Sequence, residues 1–280
     1  MTIKKLDFDS IYFDLYELNK GIYATISQEK MPSSNAGFFD LGNYLIIFDT
    51  LMDPFATVDL IKASKQFTSK EPSFLINSHY HVDHLFGNRK FNHKVPIISS
   101  SQALVETQEY LNTRWNDFKQ RAPLELERIE KELPNETDPD KILEMNNDIK
   151  TWNEIKDPNF TFRLPDIIID NSITINGTEN SFQLIYIGEA HTKGDLVAYF
   201  EKERICFMGD LLFAETDPSW ATAAAGVPNP ANPERLRDFL IEYSEKNIEI
   251  FVPGHGNLCT KKELIENAEF FEEYFIKAKN

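Results

Sequence analysis

Residues 79–84 are His79-Tyr80-His81-Val82-Asp83-His84, so three of the six histidines of the chain lie within six consecutive positions. The apolar stretch Phe74-Leu75-Ile76-Asn77 comes directly before them and predicts a buried strand. Zinc takes imidazole nitrogens and carboxylate oxygens as ligands, usually four per ion. If the segment is partly extended, its first two histidines point the same way and share one ion, while its last aspartate and histidine turn back at a helix start toward a second ion. The segment therefore predicts a metal site.

Both ions need further ligands, and later parts of the sequence offer them beside predicted strands. His191 follows an apolar stretch that ends at Ile187, Asp210 follows the apolar stretch 205–208, and His255 lies in the sequence Pro-Gly-His-Gly. Alternatives remain: Asp210 could be a turn or helix-cap residue, and the histidine segment could be a surface loop. The predicted metal ligands are His79, His81, Asp83, His84, His191, Asp210 and His255.

Strand signals dominate the first hundred residues. Apolar or alternating runs at 11–18, 22–26, 38–41 and 44–49 are separated by turn residues and predict an antiparallel sheet. Asp53-Pro54 predicts the start of a helix that runs to about Lys65, and a short strand is expected at 95–98.

The composition changes after Ser101, where Glu, Lys, Asn and Leu recur at helical spacing. Pro123, Pro134 and Pro139 should divide this region into two or three helices, the last opening at Asp138-Pro139. We predict a helical insertion at about 101–157. It either packs on the domain as a solvated hairpin or covers the site as a lid, because inserted segments often carry specificity.

Strand signals return after the insertion, at 167–169, 173–175, 182–187, 196–200 and 205–208, and Asn176-Gly177 predicts a tight hairpin turn. A helix at about 233–246, a strand at 248–252 and a helix at 260–278 should follow. Strands clustered in each half, with helices between them, favour two packed sheets covered by helices. The predicted fold class is α/β (α+β), as a single domain over residues 1–280.

Composition narrows the expected partners. The chain has 280 residues, 41% of them hydrophobic, which is ample for a packed core, and a net charge of -16, which disfavours nucleic acid as a partner. No run approaches membrane-spanning length, and the start has no apolar stretch typical of a signal peptide. Cys206 and Cys259 match no disulfide framework, so a cytoplasmic location is expected. A small-molecule substrate is the expected partner, and the oligomeric state stays open.

The ordered set of motifs resembles the metallo-β-lactamase-fold hydrolases. It consists of HxHxDH at 79–84, a later histidine before a glycine, Gly209-Asp210 after a strand and a terminal Pro-Gly-His-Gly. The resemblance covers about residues 10–260 apart from the insertion. It implies a four-layer αββα sandwich with the metals at one edge between the sheets.

The resemblance also implies a role for each ligand. His79, His81 and His191 would hold the first metal. Asp83, His84 and His255 would hold the second metal, and Asp210 would bridge both. Asp49, after the strand at 44–48, resembles an early aspartate of the family that supports the metal loop; its alternative is a structural turn residue.

Residues at three positions indicate which branches of this family the sequence resembles. Asp210 stands where many penicillin-destroying members have cysteine, which favours glyoxalase- or lactonase-like relatives. His81 stands where flavodiiron members have glutamate, which favours hydrolysis over redox chemistry. The usual His-Thr-Pro-Gly-His is here His191-Thr192-Lys193-Gly194-Asp195, which weighs against a thioesterase of the glyoxalase II type.

We therefore predict a hydrolase with two divalent metal ions, Zn2+ with Fe or Mn as alternatives, whose metal-bridging hydroxide attacks a small ester, lactone, thioester or amide. Asp83 or Asp210 would accept and return the proton. Tyr80, Trp115 and Pro218-Ser219-Trp220 either line the pocket or pack in the core. The alternatives are a phosphodiesterase or nuclease of the same fold, which the charge disfavours, and a metal-binding protein without catalysis.

Overall fold

The computed structural model describes residues 3–28, 33–214 and 230–277. Within these residues the strands form one sheet of eight strands and one of five. The strands are β1 (Lys4–Lys5), β2 (Phe13–Asn19), β3 (Ile22–Ser27), β4 (Ala36–Asp40), β5 (Leu45–Phe48), β6 (Phe74–Ile76), β7 (Ile97–Ser99), β8 (Ile167–Ile168), β9 (Ile173–Asn176), β10 (Ser181–Gly188), β11 (Asp195–Phe200), β12 (Ile205–Phe213) and β13 (Ile250–His255). The helices are α1 (Pro54–Thr68), α2 (Val82–Leu85), α3 (Ser101–Thr113), α4 (Trp115–Glu132), α5 (Pro139–Lys156), α6 (Pro233–Glu245) and α7 (Lys261–Phe271).

The first sheet keeps the order of the chain, from β1 to β8. Its first five strands pair antiparallel, and β5 to β8 pair parallel. The second sheet has the order β13-β12-β11-β10-β9, with one parallel pair, β12 and β13. Parallel neighbours need a crossover connection, and α1 and α6 lie within the β5–β6 and β12–β13 connections. The antiparallel start of the chain was predicted correctly.

Three apolar clusters define the layers. Aromatic rings of both sheets meet in the central cluster, where the ring centroid of Phe39 lies 4.9 Å from that of Phe200 and 4.7 Å from that of Phe207. A second cluster joins the outer face of the first sheet to α1, and a third joins the second sheet to α6 and α7. Each fully buried phenylalanine stabilises the fold by about 1.5–3 kcal/mol. The layers are therefore helix, sheet, sheet and helix, which confirms the predicted fold class.

Capping residues set the helix starts that the sequence predicted. The Asp53 carboxylate accepts hydrogen bonds from the Phe55 and Ala56 amides at the start of α1, and Asp138 accepts one from the Asp140 amide at the start of α5. The helix predicted at 260–278 is shorter than expected: α7 ends at Phe271 and continues as a π-helical segment, Glu272–Ile276.

The insertion consists of α3, α4 and α5; it breaks at Pro134 and Pro139 as predicted, but not at Pro123. Pro123 lies inside α4 rather than between helices, and α3 gives way to α4 at Arg114. Pro123 is exposed, and its ring nitrogen cannot donate to the Lys119 carbonyl one turn earlier. This carbonyl lies on the solvent side of α4, where water can satisfy it.

Trp115 is buried with Phe86 and Phe160, which places it in the core rather than in a pocket wall.

The hairpin turn predicted at Asn176-Gly177 is present, but its loop is longer than this dipeptide. Asn176 pairs with Ser181, so residues 177–180 form the loop between β9 and β10. This loop docks on the turn between β4 and β5, where the Glu179 amide donates to the Leu41 carbonyl at 3.0 Å. A tertiary contact of this kind lengthens the loop, and the local dipeptide carries no signal for it.

No helix in the described parts of the chain combines the length and the apolar character that a crossing of a lipid bilayer requires.

Candidate metal centre

All seven predicted ligands lie close together, at or near strand ends except for Asp210, which lies within a strand. Four come from residues 79–84, which follow β6 and include α2. His191 lies in the loop between β10 and β11, and His255 is the last residue of β13. Asp210 lies within β12, which runs to Phe213, so the prediction that this strand ends near Met208 is wrong.

The first group of ligand atoms combines three imidazole nitrogens with one carboxylate oxygen, from His79, His81, His191 and Asp210. These four atoms lie within 4.8 Å of one another. His191 Nε2 is 3.1 Å from His81 Nδ1 and 3.4 Å from Asp210 Oδ2. Asp210 Oδ2 is also 3.6 Å from His79 Nε2 and 3.9 Å from His81 Nδ1.

The second group combines Asp83, His84, His255 and the other oxygen of Asp210. Asp210 Oδ1 is 3.0 Å from His84 Nε2 and 3.4 Å from His255 Nε2. Asp83 Oδ2 is 3.1 Å from His255 Nε2 and 3.4 Å from His84 Nε2. Asp210 thus presents one oxygen to each group, in the arrangement of a bridging ligand.

The ligand atoms are poorly satisfied by the protein alone. His79 Nε2, His84 Nε2 and Asp210 Oδ1 are buried and have no hydrogen-bond partner in the described parts of the chain. An unsatisfied buried polar atom costs about 1–3 kcal/mol. Nitrogen and carboxylate donors at this spacing suit zinc, and also iron or manganese. The residues therefore fit two divalent ions.

Asp49 fixes the orientation of the second group. Its Oδ1 accepts a hydrogen bond from the Ser78 amide at 2.8 Å, and its Oδ2 accepts one from Ser78 Oγ at 2.8 Å and lies 2.9 Å from His84 Nδ1. A proton on Nδ1 leaves His84 Nε2 free to ligate. Burial raises the pKa of Asp49 above its ordinary value, and His84 and Ser78 oppose this effect.

Backbone geometry around β12 places Asp210. Gly209 has φ +52°, and the pairing between β12 and β13 shifts its register on either side of Gly209. A Cβ at Gly254 would lie 1.9 Å from Asp210 Oδ1, so this position has room only for glycine. The bulge explains why Asp210 leaves the regular alternation of the strand and enters the centre.

Asp195 holds the loop that carries His191. Its carboxylate accepts hydrogen bonds from the Thr192 amide at 2.9 and 3.1 Å and from Thr192 Oγ1 at 2.5 Å. Burial raises the pKa of Asp195 well above its ordinary value, and the Thr192 hydrogen bonds oppose this rise. The residue at the final histidine position of the family pattern thus shapes the loop.

The two groups differ in electrostatics. Burial lowers the pKa of His191 to about 4 and that of His79 well below its ordinary value. In the second group burial also lowers the histidine pKa values, but nearby carboxylates outweigh it, so the pKa of His255 rises to about 9 and that of His84 rises well above its ordinary value. Without a cation, protons therefore reside on the second group at neutral pH.

Some contacts at the metal centre could not be predicted from the sequence. Ser34 Oγ donates to the Asp83 carbonyl at 2.5 Å, and Asn35 Nδ2 donates to the Gly256 carbonyl at 2.8 Å. Isolated serine and asparagine residues lack the spacing that marks a histidine cluster. His93 is exposed and lies outside both groups. The predicted pocket residues 218–220 lie outside the described residues.

Comparison with known proteins gives a consistent family. A model of the metallo-beta-lactamase superfamily matches residues 32–255. No curated protein sequence matches the chain. The solved structure of the metallo-beta-lactamase FIM-1 from Pseudomonas aeruginosa, in its mono-zinc form, is similar with a TM-score of 0.63 at 13% identity, over 95% of this chain and 97% of that one.

Two further structures give the same result. A metallo-beta-lactamase from Pontibacter korlensis is similar with a TM-score of 0.61 at 13% identity, over 97% of this chain and 100% of that one. One from Hirschia baltica has a TM-score of 0.61 at 14% identity, over 93% and 98% of the two chains. At sequence identities this low, the structural similarity establishes a shared fold.

Proposed function

The chain belongs to the metallo-beta-lactamase superfamily, and from this premise we propose that it is a metal-dependent hydrolase with a dinuclear, zinc-type centre. The substrate is a small ester, lactone, thioester or amide. The observation that carries the proposal is the division of Asp210, which presents Oδ2 to three histidines and Oδ1 to a second group. A single metal site needs no such division.

Each predicted ligand has its own part in the proposed centre. His79, His81 and His191 would hold the first ion. Asp83, His84 and His255 would hold the second, and Asp210 could contribute one oxygen to each. Ions bound there lower the pKa of a water molecule and polarise the oxygen of the bond to be cleaved. The protein supplies orientation, which Asp49 and Asp195 maintain through the hydrogen bonds to Ser78, His84 and Thr192.

Asp83 is the better candidate for proton transfer. Both oxygens of Asp210 point into ligand groups, whereas Asp83 contacts His84 and His255 through Oδ2. The Asp83 side chain is 23% exposed and that of Asp210 is 5% exposed. Asp83 Oδ1 is therefore the oxygen that could accept the proton from the attacking water and return it to the leaving group.

The test combines metal analysis with activity. The wild-type protein and the variants His81→Ala and Asp210→Ala are loaded with zinc, dialysed and analysed for metal, and then assayed on esters, lactones, thioesters, amides and a phosphodiester. We expect about two ions per wild-type chain and a loss of at least 100-fold in turnover in both variants. Asp210→Ala should lose affinity for both ions, whereas His81→Ala should lose affinity mainly for the first.

His93→Ala is the matched control, because His93 is exposed and lies outside both ligand groups. It should keep the metal content and activity of the wild-type protein. Full turnover by a metal-free preparation would contradict the proposal. Two bound ions without turnover of any substrate in the panel would favour a metal-binding protein without catalysis.

A further inference from the structure

His191 is the ligand whose position depends most on a loop. Residues 189–194 connect β10 to β11, and we call them the His191 loop. Within this loop the Ala190 amide donates a hydrogen bond to the Thr192 carbonyl at 2.8 Å. Ligands on loops are placed less precisely than ligands on strands or helices unless neighbouring elements hold the loop. The contacts of the His191 loop with its neighbours therefore bear on the first ligand group.

The first half of the His191 loop is held by the segment before α6. The His191 carbonyl accepts a hydrogen bond from the Ala231 amide at 2.9 Å, and the Ala190 carbonyl accepts one from the Asn232 amide at 2.9 Å. Asn232 is also the N-cap of α6. The backbone up to the ligand is thus connected to the helix layer that covers the second sheet.

The second half of the loop is held by α3, the first helix of the insertion. The Lys193 amide donates to the Glu106 carboxylate, 3.2 Å from Oε2 and 3.4 Å from Oε1. Ser100 Oγ donates to the Gly194 carbonyl at 2.7 Å. Loop and helix are in close contact, because a Cβ at Gly194 would lie 2.5 Å from the Ala103 amide nitrogen. The two residues that precede β11 are therefore both bound to α3.

The two polar residues of α3 that bind the loop are withdrawn from solvent. Ser100 is fully buried and caps α3, since its Oγ accepts the Ala103 amide at 3.1 Å while its proton goes to Gly194. Glu106 lies three residues after Ala103, on the same side of the helix. Burial raises the pKa of Glu106 to about 7, and the Lys193 amide opposes this rise. In either protonation state, Glu106 has an oxygen that can accept this amide.

The insertion that carries α3 is itself fixed to the body of the protein. Trp115 of α4 and Ile155 of α5 pack in one buried cluster with Phe86, which directly follows α2 of the metal loop. Glu154 of α5 forms an ion pair with Lys90, a few residues after Phe86. Helix α3 therefore belongs to a packed unit, and its contacts with the His191 loop connect this unit to the first ligand group.

We propose that α3 positions His191 for the first ion, with Ser100 and Glu106 as the positioning residues. This rests on the proposed function, because it gives the insertion a task within the same metal centre. Both residues act through the backbone of residues 193–194, so their loss widens the range of positions open to the His191 imidazole. The first group should then bind metal more weakly, whereas the second group contains no residue of this loop.

Zinc affinities of Glu106 variants test this assignment. Glu106→Ala removes the acceptor of the Lys193 amide, and α3 should stay folded because alanine favours helices. Competition with a chromophoric chelator should show an affinity of the first group about 10-fold lower and a nearly unchanged affinity of the second. Glu106→Gln keeps an acceptor oxygen at the same distance and should restore most of the affinity. His81→Ala identifies which measured affinity belongs to the first group.

Ser100→Ala removes the bond to Gly194 together with the N-cap of α3, and it should also lower the affinity of the first group about 10-fold. Asp138→Ala is the matched control, since it removes the N-cap of α5 in the same insertion and should leave both affinities unchanged. Wild-type affinities in Ser100→Ala and Glu106→Ala would overturn the positioning role. Equal losses in both groups, or a Glu106→Gln variant as weak as Glu106→Ala, would overturn it as well.

Hydrogen exchange of the metal-free protein separates this inference from the proposed function, since it requires neither zinc nor substrate. In Glu106→Ala the Lys193 amide should exchange about 10-fold faster, while the Glu179 amide, in the loop before β10, keeps its wild-type rate. Faster exchange and a weaker first group, in a protein that hydrolyses no substrate, would support the positioning role and contradict the hydrolase. Hydrolysis with unchanged exchange and unchanged affinities would support the hydrolase and overturn the positioning role.

Discussion

Histidines of the two ligand groups differ in charge before any metal binds. In the second group, His84 and His255 lie among carboxylates that outweigh the effect of burial and raise the pKa of His255 to about 9. In the first group, burial lowers the pKa of His191 to about 4. At pH 7 a metal ion therefore competes with protons in the second group, whereas it meets neutral imidazoles at His79 and His191 in the first.

This difference predicts unequal proton release. A raised pKa means that the second group is protonated at pH 7, so its metal affinity should rise as the pH increases toward about 9 and fall as the pH decreases. The lowered pKa values of His79 and His191 make these two ligands insensitive to pH near neutrality. Zinc titration calorimetry in buffers of different ionisation enthalpy should show more protons released when the second group is filled than when the first group is filled. Equal release by both ions would contradict this assignment.

Asp49 should matter for metal affinity although it contacts no metal. Asp49→Asn replaces the acceptor that faces His84 Nδ1 and so favours the wrong tautomer of that ligand. We expect the affinity of the second group for zinc to fall about 10- to 100-fold, with the first group nearly unchanged. Competition with a chromophoric chelator measures both affinities. Asp9→Asn, at an exposed position, is the control, and wild-type affinity in Asp49→Asn would assign Asp49 a purely structural role.

At the scale of elements, α5 connects the insertion to the body of the protein. Asn147 accepts a hydrogen bond from the Tyr12 hydroxyl at 2.8 Å and donates to Asp53, the N-cap of α1. The neighbouring Asp148 is half-buried, and burial, with help from Glu144 and Asp53, raises its pKa to about 6. The anchoring of α5 therefore brings a carboxylate into an environment that disfavours its charge.

Because of this environment, we expect Asp148→Asn to increase the stability of the fold by an amount that depends on pH. Because the folded-state pKa exceeds the ordinary value of 3.8, the carboxyl costs no stability below about pH 4 and destabilises the fold as the pH rises through about 6. After allowance for partial exposure, we expect the variant to be more stable by about 1 kcal/mol at pH 8 and equally stable at pH 4. Urea unfolding at both pH values measures this. Glu130→Gln, an exposed change on α4, should show no such trend, and an equal gain at pH 4 and pH 8 would rule out titration as the cause.

Local signals predicted most elements but not their irregularities. Asp53 and Asp138 predicted the starts of α1 and α5, because a capping carboxylate acts on amides two or three residues away. The extension of β12 through Asp210 could not be predicted, because its bulge depends on pairing with β13, about forty residues later. Pro123 failed as a helix breaker because its cost depends on whether the freed carbonyl meets water.

At the scale of the whole molecule, the two ligand groups tie the two sheets together. Residues 79–84 follow a strand of the first sheet, whereas His191, Asp210 and His255 belong to the second sheet or its loops. A metal ion in either group therefore links both sheets. The folded chain should be stabilised by metal binding, since the unfolded chain does not hold these residues together.

Removal of metal should lower the thermal stability. At a free zinc concentration of about 100 times Kd, binding contributes about 2.7 kcal/mol per ion, and for a chain of this size each kcal/mol changes Tm by about 2–4 °C. We expect EDTA to lower the Tm of the zinc-loaded protein by about 5–10 °C for each ion lost. Differential scanning fluorimetry measures this shift. The Tm of Asp210→Ala should respond much less to EDTA, and an unchanged wild-type Tm would contradict a structural link through metal.

The structure brings all seven predicted ligands into two groups that could hold a metal ion. The sequence could predict this set because histidines and aspartates beside predicted strands form an ordered motif. The supporting contacts of Ser34 and Asn35 were missed. They depend on where the loop after β3 packs, and no short spacing in the sequence encodes that.

The two oxygens of Asp210 make the two ligand groups a thermodynamically coupled pair. A cation on Oδ2 withdraws charge from Oδ1 and repels a second cation, so occupancy of one group lowers the affinity of the other, and the coupling is reciprocal. If both groups bind an ion, we therefore expect the two binding events to be anticooperative. The availability of metal in the surroundings would then set the ratio of singly to doubly loaded molecules.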